Sequence, residues 1–243
     1  MPCVDKNLYL GIIPVSIKSD VTWKTMIGPI RKYPLGFLLY AGTFAAGLIL
    51  VLAVPRYQLH LIMNQNHSSC QDVFFRTVTW LGNGWFALAL SLLFILFSWR
   101  YFLMMFFSFG ISGLLAQVLK HFVFPDAARP GEWLDRMQGL QTVPGVELFH
   151  SFGFPSGHAT TAFAVLLLAG FILKNRPGFF ALMILAWSVA LSRVYLSQHF
   201  LIDVLAGSLL GTLSALFFYW YFQRLKPEWL ERSLLDLFPG RKK

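Results

Sequence analysis

The chain has 243 residues, of which 56% are hydrophobic, 17% aromatic and only 13% charged, and its mean hydropathy is +0.60. A soluble domain carries about a quarter of its residues as charged side chains, so an ordinary soluble fold is excluded. We expect an all-α, polytopic membrane protein whose hydrophobic excess faces lipid. The net charge of +9 does not indicate nucleic-acid binding here, because cytoplasmic loops of membrane proteins collect lysine and arginine.

The N-terminal segment 1–33 is predicted to be cytoplasmic or interfacial. Its apolar stretch, residues 7–17, is short and is interrupted by Pro14. No long apolar core typical of a cleavable signal peptide occurs there. The six-helix domain is predicted to follow over residues 34–224, and residues 225–243 are predicted to form a basic cytoplasmic tail.

Six segments free of Asp, Glu, Lys and Arg are long enough, or nearly so, to cross a bilayer, which takes about 20 residues. In chain order they are Leu35–Val54, Thr77–Trp99, Tyr101–Leu119, His158–Leu173, Pro177–Ser192 and Val204–Gln223. The fourth is short and can extend back through the uncharged stretch from Leu148. A single helix over 158–192 is excluded by the break Lys174–Gly178.

Six spans place both termini on one side of the membrane. That side then carries most of the lysines and arginines, so both termini are predicted to be cytoplasmic. The loops 55–76, 120–157 and 193–199 are therefore predicted to face outward. This topology separates Cys3 from Cys70 and argues against a disulfide between them.

Polar and charged side chains gather at the outer ends of these segments, where charge is costly unless it has a function. Because the end of one span and the start of the next lie on the same side, these groups should meet. They are Lys120, Arg129, Pro155–His158, Ser192–Arg193, His199 and Asp203.

The predicted catalytic residues are His199, Asp203 and His158. If residues from 199 onward are helical, His199 and Asp203 share one helix face. The carboxylate can then hold one imidazole nitrogen and leave the other free to attack as a nucleophile. His158 is placed to give a proton to a leaving oxygen.

The predicted phosphate-binding residues are Lys120, Arg129, Arg193, Ser156 and Gly157. The lysine and the two arginines offer positive charge, and a guanidinium can bind phosphate with two parallel hydrogen bonds. Ser156 and Gly157 precede a predicted helix, so their backbone N–H groups should point at an anion. No Cys/His metal spacing occurs in the sequence.

The other polar residues of the outer face are not assigned to the site. Four histidines are predicted to be interfacial, and two loop charges are predicted to be solvated. They are His60, His67, His121, His150, Glu132 and Arg136.

These residues resemble the three motif blocks of the type 2 phosphatidic acid phosphatase (PAP2) superfamily: K-x6-R-P, P-S-G-H and S-R-x5-H-x3-D. Pro155–His158 reproduces the second block, and Ser192–Asp203 reproduces the third. The first block departs from the pattern, because eight residues rather than six separate Lys120 from Arg129.

The resemblance implies a membrane phosphatase that needs no metal and no cofactor. His199 would form a phosphohistidine, Asp203 would orient it, and His158 would protonate the leaving group. The implied partner is a lipid phosphate from the bilayer: undecaprenyl pyrophosphate, phosphatidylglycerol phosphate, phosphatidic acid or a lipid A phosphate. The expected location is a bacterial inner membrane, with the site on the periplasmic side and with no nucleic-acid partner. The oligomeric state stays open.

Two alternatives stay open at this point, and a third is excluded. A phosphotransferase would use the same residues to pass phosphate to another lipid. A transporter or lipid-binding membrane protein would have charged or broken helices at mid-membrane depth. A haloperoxidase-like vanadate binder shares the residue pattern but is a soluble protein, which this composition excludes.

Overall fold

Helices make up the regular structure of residues 27–237, the part of the chain that the computed structural model describes. Nine α-helices occur in this part: α1 Gly28–Lys32, α2 Pro34–Ala53, α3 Arg56–Asn64, α4 Ser69–Val78, α5 Gly84–Phe94, α6 Trp99–Val118, α7 Gly157–Leu173, α8 Arg176–Tyr195 and α9 Leu201–Arg224. Short 3-10 turns cover Thr79–Gly82, Pro130–Trp133, Glu228–Glu231 and Leu234–Leu237, and a π-helical turn covers Leu119–Val123. The predicted all-α class is confirmed.

Four of the described helices are long and apolar enough to cross a membrane: α2, α6 together with its π turn, α8 and α9. A fifth span results if α4 and α5, which meet at an angle of 57°, count as one. Helix α7 is apolar but has only 17 residues. The chain is therefore an integral membrane protein, while six spans and two cytoplasmic termini stay predictions. The apolar stretch 7–17 and Cys3 lie outside the described residues.

The prediction of one continuous segment over Thr77–Trp99 is wrong. The chain leaves the helical conformation at Asn83, whose side chain accepts a hydrogen bond from the backbone N–H of Trp85 at 2.9 Å and caps α5. Helix α5 ends at Phe94, and Ser98 caps the next helix, which begins at Trp99. Glycine and asparagine interrupt an apolar run because both favour turns and helix caps over helix interiors.

Three further boundaries differ from the prediction. The predicted outer loop 55–76 contains α3 and most of α4. Helix α7 does not extend back to Leu148, because Ser156 caps it after a cis Phe154–Pro155 bond. Arg193, predicted to open a loop, lies in the last turn of α8.

Helix α7 lies at the centre of the bundle and packs against α6, α8 and α9. It is apolar on all sides and almost completely buried, as expected for a helix surrounded by other helices. Gly207 and Gly211 of α9 face it, and a methyl group at either position would overlap the backbone oxygen of Ser156 or Thr160. Close packing of α9 on α7 therefore requires glycine at these two positions.

The described part of the predicted basic tail folds back onto the start of α6. Ser98 donates a hydrogen bond to the Leu230 carbonyl at 2.6 Å, and the Leu234 N–H donates one to the Ile95 carbonyl at 3.0 Å. The buried Arg100 side chain donates to Glu231 at 2.8 Å. These contacts fix the end of the bundle opposite to the predicted site.

Candidate active site

A cavity of about 660 Å³ brings together most of the predicted site residues. Its lining includes Lys120, Arg129, Gly157, His158, Arg193 and His199, together with Gly82, Asn83 and Gly84 at the bend between α4 and α5 and with residues of α6. Ser156 and Asp203 do not line the cavity, because both are buried directly behind it.

His199 is oriented by Asp203, although not in the way that the helix prediction required. Helix α9 begins at Leu201, so His199 precedes it and Asp203 lies in its first turn. The His199 Nδ1 atom still lies 3.4 Å from Asp203 Oδ2, and the same oxygen accepts the Phe200 N–H at 2.9 Å. With Nδ1–H directed at the carboxylate, Nε2 keeps its lone pair.

Burial and positive charge keep the His199 imidazole neutral. The side chain is 2% exposed. Desolvation lowers the pKa of His199 well below its usual value, and the nearby charges of Arg129, Arg193 and Lys120 lower it further. A neutral imidazole with a free Nε2 can act as a nucleophile toward phosphorus.

A tight turn connects Arg193 to His199. The Gln198 and His199 N–H groups donate to the Arg193 carbonyl at 2.9 and 3.1 Å, and Ser197 has a φ of 51°. This turn keeps the last turn of α8 and the start of α9 at a fixed separation. Arg193 and His199 therefore face the same cavity.

Ser156 positions the start of α7 rather than reaching into the cavity. Its N–H donates to the Asp203 carbonyl at 2.9 Å, and its Oγ accepts the Ala159 N–H at 3.5 Å. Gly157, the first residue of α7, does line the cavity. The predicted anion site at this helix N-terminus thus depends on the backbone, with Ser156 as the cap.

Lys120 reaches the same helix N-terminus from α6. It lies in the π turn that follows α6 and is 7% exposed. Its Nζ atom would lie 3.9 Å from a Cβ placed on Gly157. A π turn widens the helix locally and is frequent at functional sites.

Arg129 enters the cavity from the long loop despite the altered first motif. Its backbone N–H donates to the His150 carbonyl at 2.8 Å, and its Nε donates to the Ser151 carbonyl at 2.8 Å. The adjoining Gly153 N–H donates to the Ala127 carbonyl at 2.6 Å. The loop absorbs the two additional residues, and both Lys120 and Arg129 line the cavity.

Arg193 is held in place by two side chains and keeps one donor free. Its Nη1 donates to Thr79 Oγ1 at 2.8 Å, and its Nη2 donates to Gln198 Oε1 at 3.4 Å. Its buried Nε has no hydrogen-bond partner within residues 27–237. An unpaired buried N–H is unfavourable, and a phosphate oxygen in the cavity would satisfy it.

His158 lines the cavity from the first turn of α7. Its imidazole makes no hydrogen bond to any other residue in the described part of the chain. A methyl group on Gly82 would lie 2.9 Å from the Cβ and from the carbonyl oxygen of His158. The bend between α4 and α5 therefore packs directly against this histidine and fixes its position.

Sequence reasoning missed several residues of the site. The run Gly82–Gly84 is a turn signal within an apolar stretch, and that signal could have located the bend that lines the cavity. Thr79 and Gln198, which hold Arg193, carry no recognisable pattern. A break in this helix is also what the transporter alternative predicts, but here the break lies beside His158 at the level of the site.

The histidines predicted to be interfacial have different environments. His60 is buried, its Nε2 lies 3.2 Å from Ser197 Oγ, and burial lowers its pKa to about 4. His67 lies 3.3 Å from Asp72, and the His121 ring packs against Phe152 at a tilt of 48°. His150 is exposed near Glu132. None of the four lines the cavity, and no cluster of three or more metal-ligating side chains occurs in the described ranges.

Comparison with known proteins identifies the family. The sequence profile of the PAP2 superfamily matches residues 101–227, which is more than half of the chain. The chain is 38% identical over 87 residues to the bacitracin transport permease protein BcrC of Bacillus licheniformis, covering 34% of this chain and 42% of that protein. It is 35% identical over 122 residues to phosphatidylglycerophosphatase B of Bacillus subtilis (strain 168), covering 46% and 53%. The match thus spans about half the length of these curated relatives.

Two solved structures share the fold. The crystal structure of Aquifex aeolicus LpxE superposes with a TM-score of 0.60 at 21% identity, over 68% of this chain and 95% of that chain. A transmembrane PAP2-type phosphatidylglycerolphosphate phosphatase from Bacillus subtilis superposes with a TM-score of 0.59 at 24% identity, over 83% and 99%. At these identities the likeness shows the fold alone.

Proposed function

Because the chain belongs to the PAP2 superfamily, we propose that it is an integral-membrane phosphatase that hydrolyses a lipid phosphate or diphosphate. One observation carries the proposal: a single cavity holds a carboxylate-oriented imidazole, a second imidazole and three cationic side chains. The curated relatives include proteins named as lipid phosphatases. This combination suits phosphoryl transfer, in which positioning and charge stabilisation supply most of the catalysis.

In the first step, His199 Nε2 forms a bond to phosphorus while the bond from phosphorus to the leaving oxygen breaks. The electron pair of the broken bond stays on the leaving oxygen. His158, which carries a proton while the negatively charged phosphate is bound beside it, donates that proton to the leaving oxygen. Asp203 stabilises the positive charge that develops on the His199 ring. The product is a lipid alcohol, or a lipid monophosphate when the substrate is a diphosphate.

In the second step, water attacks the phosphohistidine. The water proton passes to His158, the bond from nitrogen to phosphorus breaks, and its electron pair returns to His199. Lys120, Arg129, Arg193 and the N–H groups at the start of α7 bind the phosphate oxygens in both steps. Inorganic phosphate leaves, and both histidines return to their starting states.

The cavity also has space for an apolar tail. Its wall along α6 includes Gly110, Gly113 and Leu114, and Gly84 of α5 lies opposite. A Cβ on Gly110 or Gly113 would meet no atom within 4 Å. We place the lipid tail in this gap between α5 and α6, with the phosphate at the polar end.

The orientation in the membrane belongs to the same proposal. We count α2, the bent α4–α5 pair, α6, α7, α8 and α9 as six spans. Both termini then lie in the cytoplasm, and the site opens to the outer leaflet, on the periplasmic side of a bacterial inner membrane. A lipid phosphate can enter such a site sideways from the leaflet.

The decisive experiment measures phosphate release by the purified protein from phosphatidic acid, phosphatidylglycerol phosphate, undecaprenyl pyrophosphate and a lipid A phosphate. His199→Ala should lower the rate at least about 10³-fold, because it removes the attacking atom. His150→Ala is the matched control, since His150 is exposed outside the cavity. Release of phosphate by the His199 variant at the unaltered rate would refute the assignment. EDTA should leave the rate of the native protein unchanged.

A further inference from the structure

A second cavity of about 370 Å³ adjoins the first. The two cavities share Asn83, Phe149, His158 and Arg193 as a common wall. Lys120, Arg129 and His199 line only the first cavity. The phosphate that His199 attacks must therefore lie in the first cavity. The second cavity lies beyond His158. We call the second cavity the side chamber.

The direction of attack relates the side chamber to the leaving group. A nucleophile and a leaving oxygen lie on opposite sides of the phosphorus in an in-line displacement. His158 is the proposed proton donor to the leaving oxygen, so that oxygen lies beside the common wall. A polar group that follows the leaving oxygen then lies at the side chamber, and the tail beyond that group turns back into the gap between α5 and α6 of the first cavity.

The side chamber contains an arginine that makes no ion pair with another residue in the described part of the chain. Arg76, in the last turn of α4, lines the chamber and has neither an ion pair nor a hydrogen bond within residues 27–237. It is exposed, and its Nη2 would lie 3.9 Å from a Cβ placed on Gly145. An unpaired guanidinium at a chamber wall is available for a phosphate group.

One carboxylate opposes this charge. Glu147 also lines the chamber, but its side chain is exposed, and only its backbone carbonyl is engaged, by Gln198 Nε2 at 2.8 Å. Arg193, on the common wall, adds a second positive charge. The chamber thus carries a net positive charge next to the leaving oxygen.

We propose that Arg76 binds a second phosphate group of the substrate, joined to the reacting phosphate through the leaving oxygen, and so determines specificity. This inference rests on the proposed phosphatase activity. It selects lipids with two phosphate groups over lipids with one. In a lipid diphosphate the second phosphate is attached to the leaving oxygen itself, and in phosphatidylglycerol phosphate it follows a glycerol unit.

Two pairs of substrates with matched tails test the proposal. They also show whether the second phosphate belongs to a lipid diphosphate or to phosphatidylglycerol phosphate. Farnesyl diphosphate is compared with farnesyl monophosphate, and phosphatidylglycerol phosphate is compared with phosphatidic acid. The native protein should prefer the two-phosphate member of at least one pair, and that pair identifies the source. Arg76→Gln should lower the ratio of the two kcat/KM values about tenfold, the loss expected for one charge-assisted contact, and Arg76→Lys should restore part of it.

A variant that should raise the ratio of the two kcat/KM values, rather than lower it, separates the proposal from a general loss of folding. Glu147→Gln removes the opposing charge and should raise the same ratio. Arg136→Gln is the control. Arg136 is an exposed arginine of the loop 120–157, which also contains Glu147, and it lines neither cavity.

Two failures are distinguishable. The proposal is overturned if Arg76→Gln lowers both members of a pair equally or leaves the ratio unchanged, while monophosphate hydrolysis still depends on His199. Absence of phosphate release from all four lipids by the native protein would instead overturn the proposed phosphatase activity, and this inference with it.

Discussion

Helices α7 and α9 touch so closely that glycine is required at their contact. Helices α5 and α6 also pack together, but they leave a gap lined by glycine at the end that borders the cavity. A methyl group on Gly207 or Gly211 would overlap the backbone of α7. A methyl group on Gly110 or Gly113 would meet nothing within 4 Å. The same residue type thus serves close contact in one helix pair and open space in the other.

The difference corresponds to two tasks. The close pair carries His158, Asp203 and the start of α7, groups that must keep their relative positions to within a fraction of an ångström for phosphoryl transfer. The open pair borders the part of the cavity that we assign to the tail, where shape is less demanding. In this bundle, the closely packed helices α7 and α9 hold the catalytic groups, and the gap between α5 and α6 is the part that we assign to the lipid tail.

We expect the largest effect from the substitution of His158, the proton donor on the closely packed helices α7 and α9. His158→Ala should slow hydrolysis of a lipid phosphate about 10²- to 10⁴-fold, the usual contribution of a general acid. A substrate with a good leaving group, such as 4-nitrophenyl phosphate, needs less protonation and should be slowed less. Measuring kcat for both substrates checks the role. Equal slowing would show that His158 does not act as the acid.

A smaller but still large effect should follow from separating the close pair. Gly207→Ala should push α9 away from the Ser156 carbonyl and misplace Asp203 relative to Gly157. A displacement of about 1 Å at a reacting centre can cost about 10²-fold in rate. Gly110→Ala is the matched control, since its methyl group would point into open space. Comparable activity of the two variants would remove the distinction between the helix pairs.

The sequence predicted which polar residues come together better than it predicted the helices around them. Lys120, Arg129, Gly157, His158, Arg193 and His199 were assigned from motif spacing and span parity, and one cavity contains them all. Motif residues are polar groups in an apolar sequence, so they stand out without knowledge of packing. Their placement at one end of the bundle follows from span alternation alone.

The packing could not be predicted in the same way. Helices α6 and α7 are both strongly apolar, yet α7 is buried on all sides and α6 exposes much of its surface. Hydropathy does not distinguish contact with lipid from contact with protein. The bend at Asn83 and the roles of Gly207 and Gly113 depend on which helix lies opposite, and one sequence does not contain that information.

A moderate effect is expected from filling the gap. Gly113→Leu should lower kcat/KM for a long-chain lipid phosphate about tenfold. The added side chain would occupy the space in which a few methylene groups of the tail are otherwise buried. Hydrolysis of a short, water-soluble phosphate ester should change little. Gly42→Leu is the control, since Gly42 is exposed on α2 with nothing within 4 Å. Equal losses for long and short substrates would contradict the tail assignment.

We expect the smallest effect for the protonation of His199, the proposed nucleophile. Burial and the charges of Arg129, Arg193 and Lys120 lower the pKa of His199, so the folded state favours the neutral ring. The attacking form is therefore present above this lowered pKa and is lost only as the pH falls through it. The related share of stability falls as the pH drops below the unfolded value of about 6.5.

NMR of ¹⁵N-histidine-labelled protein measures this equilibrium directly. The His199 resonance should not titrate near pH 6.5, where free histidine in the same buffer does. Inorganic phosphate bound in the cavity offsets the three positive charges, so it should raise the pKa of His199. A pKa that stays constant when phosphate binds would mean that these side chains do not act on the ring through their charge, and that burial alone keeps the nucleophile neutral.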